Sequence, residues 1–231
     1  MSIGEDYKKW TKYSQKNKEL YCQKYNYTFI EDDSAYDEAR PIAWSKLLLI
    51  LKYLPDYDYI VWIDADILIM NNEITLESFI DKYKEFDIIC GSCSRMFNTG
   101  FLLIKNTSFC KKFLRDVFDN VYDPESDANE RYMNWEQGSF INLYDKNHLE
   151  SQTKIKVTNH RELNSYWANY YYGDFVLHGA GIRGDLLEYF LNRFIPDKMD
   201  IDTDETYLER IRYLKEDFRT EHVLLAKRMG Y

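Results

Sequence analysis

A run of five β-prone residues, Tyr59–Ile63, leads directly into the sequence Asp64-Ala65-Asp66. Apolar runs without polar alternation are typical of central strands that are buried on both faces of a sheet. In open α/β sheets, ligands bind beyond the carboxyl ends of such strands. Because residues two apart in extended backbone point to the same side, the carboxylates of Asp64 and Asp66 are predicted to face one space. Two anions at close range need a cation, so the pattern predicts a hard divalent ion.

The rest of the chain alternates strand-like and helix-like patterns, which favours an α/β fold with a mixed, mostly parallel central sheet flanked by helices. The patterns predict helices at residues 5–25, 41–54, 76–84, 107–120, 136–144, 185–195 and 205–229. Short β-prone runs predict strands at residues 27–30, 59–63, 86–90, 101–104, 155–157 and 175–177. No repeat or convincing linker divides the chain, so we expect a single domain with a helical extension.

Composition narrows the functions that this chain can have. Of its 231 residues, 45% are hydrophobic, which is enough for a full core. The net charge is −9 and no basic stripe is present, which argues against a nucleic-acid partner. No apolar stretch reaches membrane-spanning length and the N-terminus is unlike a signal peptide, so we expect a soluble, cytoplasmic chain. The four cysteines lack the spacing of a zinc site, and we expect reduced, structural thiols.

The Asp-x-Asp pattern is not specific to a metal site, because a helix cap followed by a turn residue accounts for many such sequences. Phosphatases of the haloacid dehalogenase type carry a similar pattern, but usually with Thr or Val where this chain has Leu68. Among the four histidines, only His178 follows a strand-like run and precedes a glycine-rich turn, Gly179-Ala180-Gly181. A lone histidine is more often structural. Together with two aspartates, however, His178 completes a nitrogen and oxygen ligand set that suits Mn²⁺.

Several segments, taken in order, resemble the galactosyl/mannosyl/xylosyltransferases of glycosyltransferase family 34. The central segment is residues 57–71, which surrounds the two aspartates. The other similar segments are residues 21–27 with Asn26 in place of the usual Gly, Trp44-Ser45-Lys46, Asn98-Thr99-Gly100, Glu136-Gln137, residues 163–166 and residues 173–181. The resemblance covers roughly residues 21–181. Each segment alone is a weak signal, whereas the ordered set is specific.

The resemblance implies a GT-A fold, which is a Rossmann-like domain, over residues 1–196, with residues 197–231 as a C-terminal helical extension packed on it. It implies Mn²⁺ as the cofactor, with Mg²⁺ as the alternative, and retention of the anomeric configuration. The implied partners are a UDP- or GDP-sugar donor carrying galactose, mannose or xylose and a glycan or glycoprotein acceptor, with a homodimer left open. By position, Asp64, Asp66 and His178 would hold the metal, with the donor ribose as an alternative partner of Asp64. The other implied donor-binding residues are Lys46, Asn98, Gly100, Asp174, Gly181 and Arg183.

Two residues carry the implied chemistry: the resemblance places Gln137 nearest the anomeric carbon, and the adjacent Glu136 is the carboxylate that a covalent route would use. An amide is a poor nucleophile but stabilises a sugar cation, which favours attack from the face that the diphosphate leaves over a covalent intermediate. The alternative is that both residues only begin a helix, where an acid is favourable. The competing function is a catalytically inactive sugar- or partner-binding protein, because only four residues precede the first helix, where GT-A folds begin with a strand.

Overall fold

The computed structural model describes residues 5–93, 96–120, 135–167, 169–171, 173–182 and 184–194. The α-helices of this part are α1 (Glu5–Tyr25), α2 (Ser45–Tyr53), α3 (Leu76–Lys82), α4 (Ser108–Asp119), α5 (Glu136–Asp145), α6 (Ser151–Lys154), α7 (His160–Leu163) and α8 (Asp185–Phe194). Its strands are β1 (Tyr59–Ile63), β2 (Ile67–Ile69), β3 (Ile88–Cys93), β4 (Met96–Lys105), β5 (Ile155–Thr158) and β6 (Val176–His178). Most predicted elements are confirmed. The helix predicted at 205–229 and the extension predicted at 197–231 lie outside the described residues.

The chain forms two compact units, and each is assembled from segments that are separate in sequence. The first unit contains the described residues of 32–63 and 77–159. Its sheet has the strand order β1-β4-β3-β5, and α2 and α5 contact this sheet. Its core includes Leu47, Phe113 and Phe140, all fully buried. The first unit is therefore a mixed sheet with helices packed on it, as an α/β fold requires.

The sheet is mixed, as predicted, but the expectation that it is mostly parallel is wrong. β4 is antiparallel to both β1 and β3, and β3 and β5 are the parallel pair. Two residues separate Cys93 at the end of β3 from Met96 at the start of β4. Parallel neighbours need a crossover of about a dozen residues or more, so this short connection dictates antiparallel pairing.

β1 is not the buried central strand that its apolar sequence predicts. Among the described strands it pairs with β4 alone, with Tyr59 opposite Lys105 and Ile63 opposite Phe101. All five residues of β1 are half-buried, whereas residues 99–104 of β4 are buried. β4 pairs with β1 along one edge and with β3 along the other. β1 is thus an edge strand of the described sheet, and β4 and β3 occupy its interior.

The second unit contains the described residues of 5–31, 64–76 and 160–194. Its strands β2 and β6 form an antiparallel pair, with Ile67 opposite His178 and Ile69 opposite Val176. Helices α1 and α8 pack against each other, and the core includes Leu177 and Phe190. β2 was not among the predicted strands, because three apolar residues are too few to show a period. This short strand turns out to position the candidate site.

The strand predicted at residues 27–30 is wrong, since the structure is irregular there. Phe29 and Ile30 are 36% and 37% exposed, and no strand of the described chain lies beside them. Tyr27 is held instead through its side chain, which stacks on Tyr25 and accepts a hydrogen bond from Leu76 N. β-Propensity reflects packing against neighbouring strands, so β-prone residues without such a neighbour do not form a strand.

The four cysteines are free thiols, as predicted. Burial raises the pKa of both Cys22 and Cys110 to about 11, so these two thiols stay protonated at neutral pH. The thiolate is the reactive form of cysteine, and these side chains are therefore inert packing groups. Among the described helices, none combines the length and apolarity that crossing a membrane requires.

Candidate functional site

The two aspartates lie in a tight turn that follows β1 in sequence and precedes β2. Ile67 N donates to the Asp64 carbonyl oxygen at 3.2 Å, which closes a four-residue turn. The carboxylates thus approach each other through a turn, and the extended backbone assumed in the sequence analysis is wrong. The β2–β6 pair adds the histidine, because Ile67 lies opposite His178 and Gly179 N donates to the Asp66 carbonyl oxygen at 2.9 Å.

Asp64, Asp66 and His178 converge on one point of the second unit. Each offers one ligand atom, and these three atoms all lie within 4.8 Å of one another. His178 Nε2 is 3.4 Å from Asp66 Oδ1. Such separations allow a single ion to contact all three side chains at once. Two carboxylate oxygens and one imidazole nitrogen form a donor set that fits a divalent cation.

A hydrogen bond on the far side of the imidazole orients His178. The residue is 2% exposed, and its Nδ1 lies 2.7 Å from Asn164 Oδ1. An amide oxygen only accepts hydrogen bonds, so Nδ1 carries a proton and Nε2 is left to face the aspartates. Tyr166 stacks on the imidazole with 5.6 Å between ring centroids. The ring is thereby held in the orientation and tautomer that cation binding needs.

Replacing Asn164 with alanine is expected to weaken metal binding about 10- to 100-fold, because the imidazole would lose the partner that orients it. Calorimetric titration of the variant with Mn²⁺ measures the effect. Asn164→Asp is the matched control, since a carboxylate still accepts the Nδ1 proton and should keep the affinity within about fivefold of wild type. An Asn164→Ala affinity equal to that of the wild type would show that this hydrogen bond plays no part in binding.

One face of α1 holds the backbone that carries the aspartates. We call it the α1 polar face, and it consists of the buried side chains Ser14, Asn17, Lys18 and Tyr21. Ser14 Oγ donates to the Ala65 carbonyl oxygen. Asn17 donates to the Ile69 carbonyl oxygen at 2.9 Å and accepts from Ile69 N at 2.7 Å. The Tyr21 hydroxyl donates to the Ile74 carbonyl oxygen at 2.7 Å, so the face fixes the segment on both sides of β2.

Lys18 is the charged member of the α1 polar face. Its Nζ donates to the Asp64 carbonyl oxygen at 2.6 Å, and the residue is only 7% exposed. Burial lowers the pKa of Lys18 to about 8, although the charges of Asp66 and Asp64 oppose this effect. Burial also acts to raise the pKa of Asp66, but its interaction with His178 and the positive charge of Lys18 outweigh burial and hold that pKa below its usual range. Asp66 is therefore an anion at neutral pH.

Neither Lys18 nor Asn164 was predicted from the sequence as a site residue. The polar face occupies positions i, i+3, i+4 and i+7 of α1, which is the spacing of one helix face. That spacing was a usable signal in the sequence. Asn164 lay inside a segment that resembled a known family, without a role of its own. A histidine that binds a metal through one ring nitrogen usually donates a hydrogen bond from the other, and Asn164 was a candidate acceptor for that bond.

Gly179 stands where packing excludes a side chain. A Cβ there would lie 2.9 Å from Phe190 Cε1 and 3.2 Å from the Asp66 carbonyl oxygen. Gly179→Ala is therefore expected to displace the Asp66 backbone and to weaken Mn²⁺ binding about tenfold. Gly173 is the control, because an added methyl group there would meet nothing within 4 Å and should leave the metal affinity unchanged. Its φ of +86° is unfavourable for alanine, so Gly173→Ala is expected to cost about 1 kcal/mol of stability. Equal Mn²⁺ affinities of the two variants in calorimetry would contradict this account.

In the first unit, Lys46 and Glu136 form a buried ion pair. The Nζ–Oε1 distance is 2.7 Å, and the two side chains are 5% and 3% exposed. Thr99 Oγ1 also donates to Glu136 at 2.8 Å, and its carbonyl oxygen accepts from Lys46 at 3.3 Å. Lys46, Glu136 and Thr99 belong to α2, α5 and β4 respectively, so this network connects two helices to an interior strand of the sheet. Each charge of the pair is balanced chiefly by the other.

The side-chain amide oxygens of Gln137 and Asn98 each accept a hydrogen bond from a backbone N–H group. Gln137 Oε1 accepts from Thr99 N at 3.1 Å, and Asn98 Oδ1 accepts from Gly100 N at 2.7 Å. Both side chains are half-buried, and neither amide nitrogen donates to an acceptor in the described part of the chain. Their NH₂ groups are thus oriented by the protein and available to a ligand.

β4 is irregular where these amides lie. Leu102 pairs with Cys90 and Phe97 pairs with Ser92, so residues 98–101 lie opposite the single residue Gly91. The extra residues interrupt the backbone hydrogen bonds between β3 and β4. The N–H groups of Thr99 and Gly100 donate instead to the side-chain amides of Gln137 and Asn98. Such bulges are common beside functional sites because they redirect side chains.

Asp174, a predicted donor-binding residue, lies within a network of its own in the second unit. Its carboxylate accepts from Arg161 Nε at 3.0 Å, Ser165 Oγ at 2.7 Å and Tyr171 N at 3.0 Å. The residue is 5% exposed, so these bonds satisfy a buried anion. Gly181 has a φ of +85° in an open turn. Arg183, the remaining predicted donor contact, lies outside the described residues.

Comparison with known proteins gives a family and a fold. The sequence model of the family described as "Protein of unknown function, DUF273" matches residues 18–182. No curated protein matches the sequence. Among solved structures, the chain is similar to a glycosyltransferase involved in the glycosylation of the major capsid of PBCV-1, with a TM-score of 0.62, 16% identity, and coverage of 79% of this chain and 92% of that chain. At this identity the similarity shows a shared fold, and membership in glycosyltransferase family 34 stays a prediction.

Proposed function

This chain belongs to the DUF273 family, and we propose that it is a metal-dependent glycosyltransferase that uses a nucleotide-sugar donor. The observation that carries the proposal is the convergence of Asp64, Asp66 and His178 within 4.8 Å in a chain whose fold is similar to that of a glycosyltransferase. Transfer from a nucleotide sugar expels a diphosphate with several negative charges. The protein therefore needs positive charge where that leaving group departs, and a bound divalent cation supplies it.

Asp64, Asp66 and His178 would hold this cation. When bound, a divalent ion acts as a Lewis acid toward the diphosphate oxygens. We propose Mn²⁺ because a nitrogen ligand among oxygens suits it, whereas Mg²⁺ prefers oxygen and water throughout. The chain's own contribution is orientation: Asn164 fixes the imidazole, and the α1 polar face fixes the turn that carries both carboxylates.

For the sugar, we propose that Gln137 contacts the reacting carbon and stabilises its cationic state, and that Asn98 and Gly100 bind sugar hydroxyls. The resemblance to glycosyltransferase family 34 supports these roles, as do the two available NH₂ groups. The reaction is retaining. The bond from the anomeric carbon to the diphosphate breaks, the acceptor oxygen bonds on the same face, and its proton passes to the diphosphate. Lys46, Asp174, Gly181 and Arg183 remain further candidates for donor binding, and a glycan hydroxyl is the proposed acceptor.

A panel of nucleotide sugars tests the proposal. UDP-galactose, UDP-xylose and GDP-mannose are incubated with the protein with and without Mn²⁺, and release of the free nucleotide is measured. The expected result is Mn²⁺-dependent hydrolysis of one donor that stops when the metal is chelated. If Mn²⁺ with UDP or GDP neither raises the melting temperature nor supports hydrolysis, the proposal is wrong. Thermal stabilisation without turnover of any donor would instead support an inactive sugar-binding protein.

A further inference from the structure

Lys18 is a buried cation with unused donors. Its ammonium group has three N–H bonds, and one of them donates to the Asp64 carbonyl oxygen at 2.6 Å. In the described part of the chain, no acceptor takes the other two. The residue is 7% exposed, so water reaches it poorly. An ammonium group with two unsatisfied donors is costly to bury, which favours an acceptor that a bound ligand supplies.

The charges around Lys18 indicate what kind of acceptor that is. Asp64 and Asp66 are the anionic groups that act on it. Both also belong to the candidate metal cluster, where a divalent ion would cancel their two negative charges. Once the ion is bound, the positive charge of Lys18 has no remaining counter-ion in this cluster. The complete site then has a surplus of positive charge and two free N–H donors, which together suit an oxyanion.

From this arrangement we propose that Lys18 binds the diphosphate of the donor, next to the oxygens that the divalent ion contacts. The inference rests on the proposed function, because it assigns a further residue to the same leaving group. It also explains how the diphosphate receives a second positive charge. Lys46, the lysine to which the resemblance gave this role, lies in the first unit with its charge balanced by Glu136 at 2.7 Å.

A purely structural role does not account for the charge of Lys18. The turn and β2 are already held by Ser14, Asn17 and Tyr21, all of which are neutral. A neutral donor at position 18 would satisfy the Asp64 carbonyl oxygen equally well, without the desolvation that a buried ammonium suffers. A positive charge beside a cation site also opposes metal binding. Once a bound ion has taken up the charges of Asp64 and Asp66, the charge of Lys18 is therefore explained by a bound anion.

The test is the pair of affinities for Mn²⁺ alone and for inorganic pyrophosphate in saturating Mn²⁺, measured by calorimetry near neutral pH. Lys18→Met keeps the length of the side chain and removes its charge. We expect this variant to bind Mn²⁺ about two- to fivefold more tightly, because a repelling charge is gone. We expect it to bind pyrophosphate at least about tenfold more weakly, because charge-assisted hydrogen bonds are lost. Lys18→Arg should bind pyrophosphate within about threefold of wild type.

The opposite signs of the two changes separate this role from a structural one. If Lys18 only positions the turn, Lys18→Met weakens Mn²⁺ and pyrophosphate binding together, and the inference is overturned. Unchanged pyrophosphate affinity overturns it as well. Lys16→Met is the control, since Lys16 lies on the same helix, is 57% exposed and pairs with Glu19. If the proposed function itself is wrong, the wild type binds no pyrophosphate in the presence of Mn²⁺, and this result is distinct from a failure of the inference about Lys18.

Discussion

Asp66→Asn is expected to weaken Mn²⁺ binding by at least about a hundredfold and to abolish metal-dependent turnover of the donor. Asparagine keeps the shape of the side chain but removes a negative charge and one carboxylate oxygen. The effect should exceed that of Asn164→Ala, because Asp66 contacts the ion directly while Asn164 acts through His178. Calorimetric titration gives the affinity, and nucleotide release from the preferred donor gives the turnover.

The fold should survive this substitution. The Asp66 side chain is 24% exposed, and loss of its negative charge relieves the repulsion with Asp64. The midpoint of thermal unfolding without metal is therefore expected to stay close to that of the wild type. Asp81→Asn is the charge-matched control, since Asp81 is an exposed residue of α3 and should leave both affinity and turnover unchanged. Full Mn²⁺ affinity in Asp66→Asn would place the metal elsewhere in the protein.

Lys46→Met is expected to lower the free energy of unfolding by about 3–5 kcal/mol, because Glu136 would remain buried as an unpaired anion. The pair lies at 2.7 Å with both side chains at most 5% exposed, so little water is available to replace the lost partner. Urea unfolding followed by circular dichroism measures the change. Lys112→Met is the comparison, because the pair of Lys112 with Asp116 is on the surface and should contribute less than about 1 kcal/mol.

The double variant Lys46→Met/Glu136→Gln separates the ion pair from the packing around it. The introduced glutamine side chain would carry no charge and could still accept from Thr99 Oγ1, so we expect recovery of at least half of the lost stability. Such recovery would assign the two residues to the architecture of the first unit. If Lys46→Met is instead as stable as the wild type but fails to bind UDP or GDP with Mn²⁺, Lys46 serves the donor, as the resemblance implies.

Local patterns predicted most elements well because the hydrophobic period of a helix or a strand is visible over a few consecutive residues. α1, α4 and β1 all lie within a residue or two of their predicted bounds. Strand order depends instead on distant pairing. The apolar sequence of β1 predicted a central strand, yet β1 lies at an edge of the described sheet, and the short connection between β3 and β4 makes those two strands antiparallel neighbours in its interior. Connection length was readable in the sequence, and it was the more reliable signal.

The candidate ligands could be predicted because aspartate and histidine are common metal ligands and their positions are informative. The two aspartates follow a strand, and the histidine precedes a glycine-rich turn. Their supporting residues could not be predicted in the same way. Lys16 and Lys18 lie two positions apart on α1, but the first is an exposed partner of Glu19 and the second is buried against Asp64. Helical spacing puts Lys18, and not Lys16, on the face of Ser14, Asn17 and Tyr21, but it does not show that this face is buried. The difference arises only when the turn that carries Asp64 packs on one face of the helix.

Electron paramagnetic resonance of Mn²⁺ bound to the protein tests the central claim most directly, because it detects the ion and its nitrogen ligands together. The account predicts one bound Mn²⁺ per chain, coupled to a single imidazole nitrogen, with the coupling lost in His178→Ala and the bound ion lost in Asp66→Asn. Bound Mn²⁺ without a nitrogen coupling in the wild type, or with a coupling that persists in His178→Ala, would contradict it.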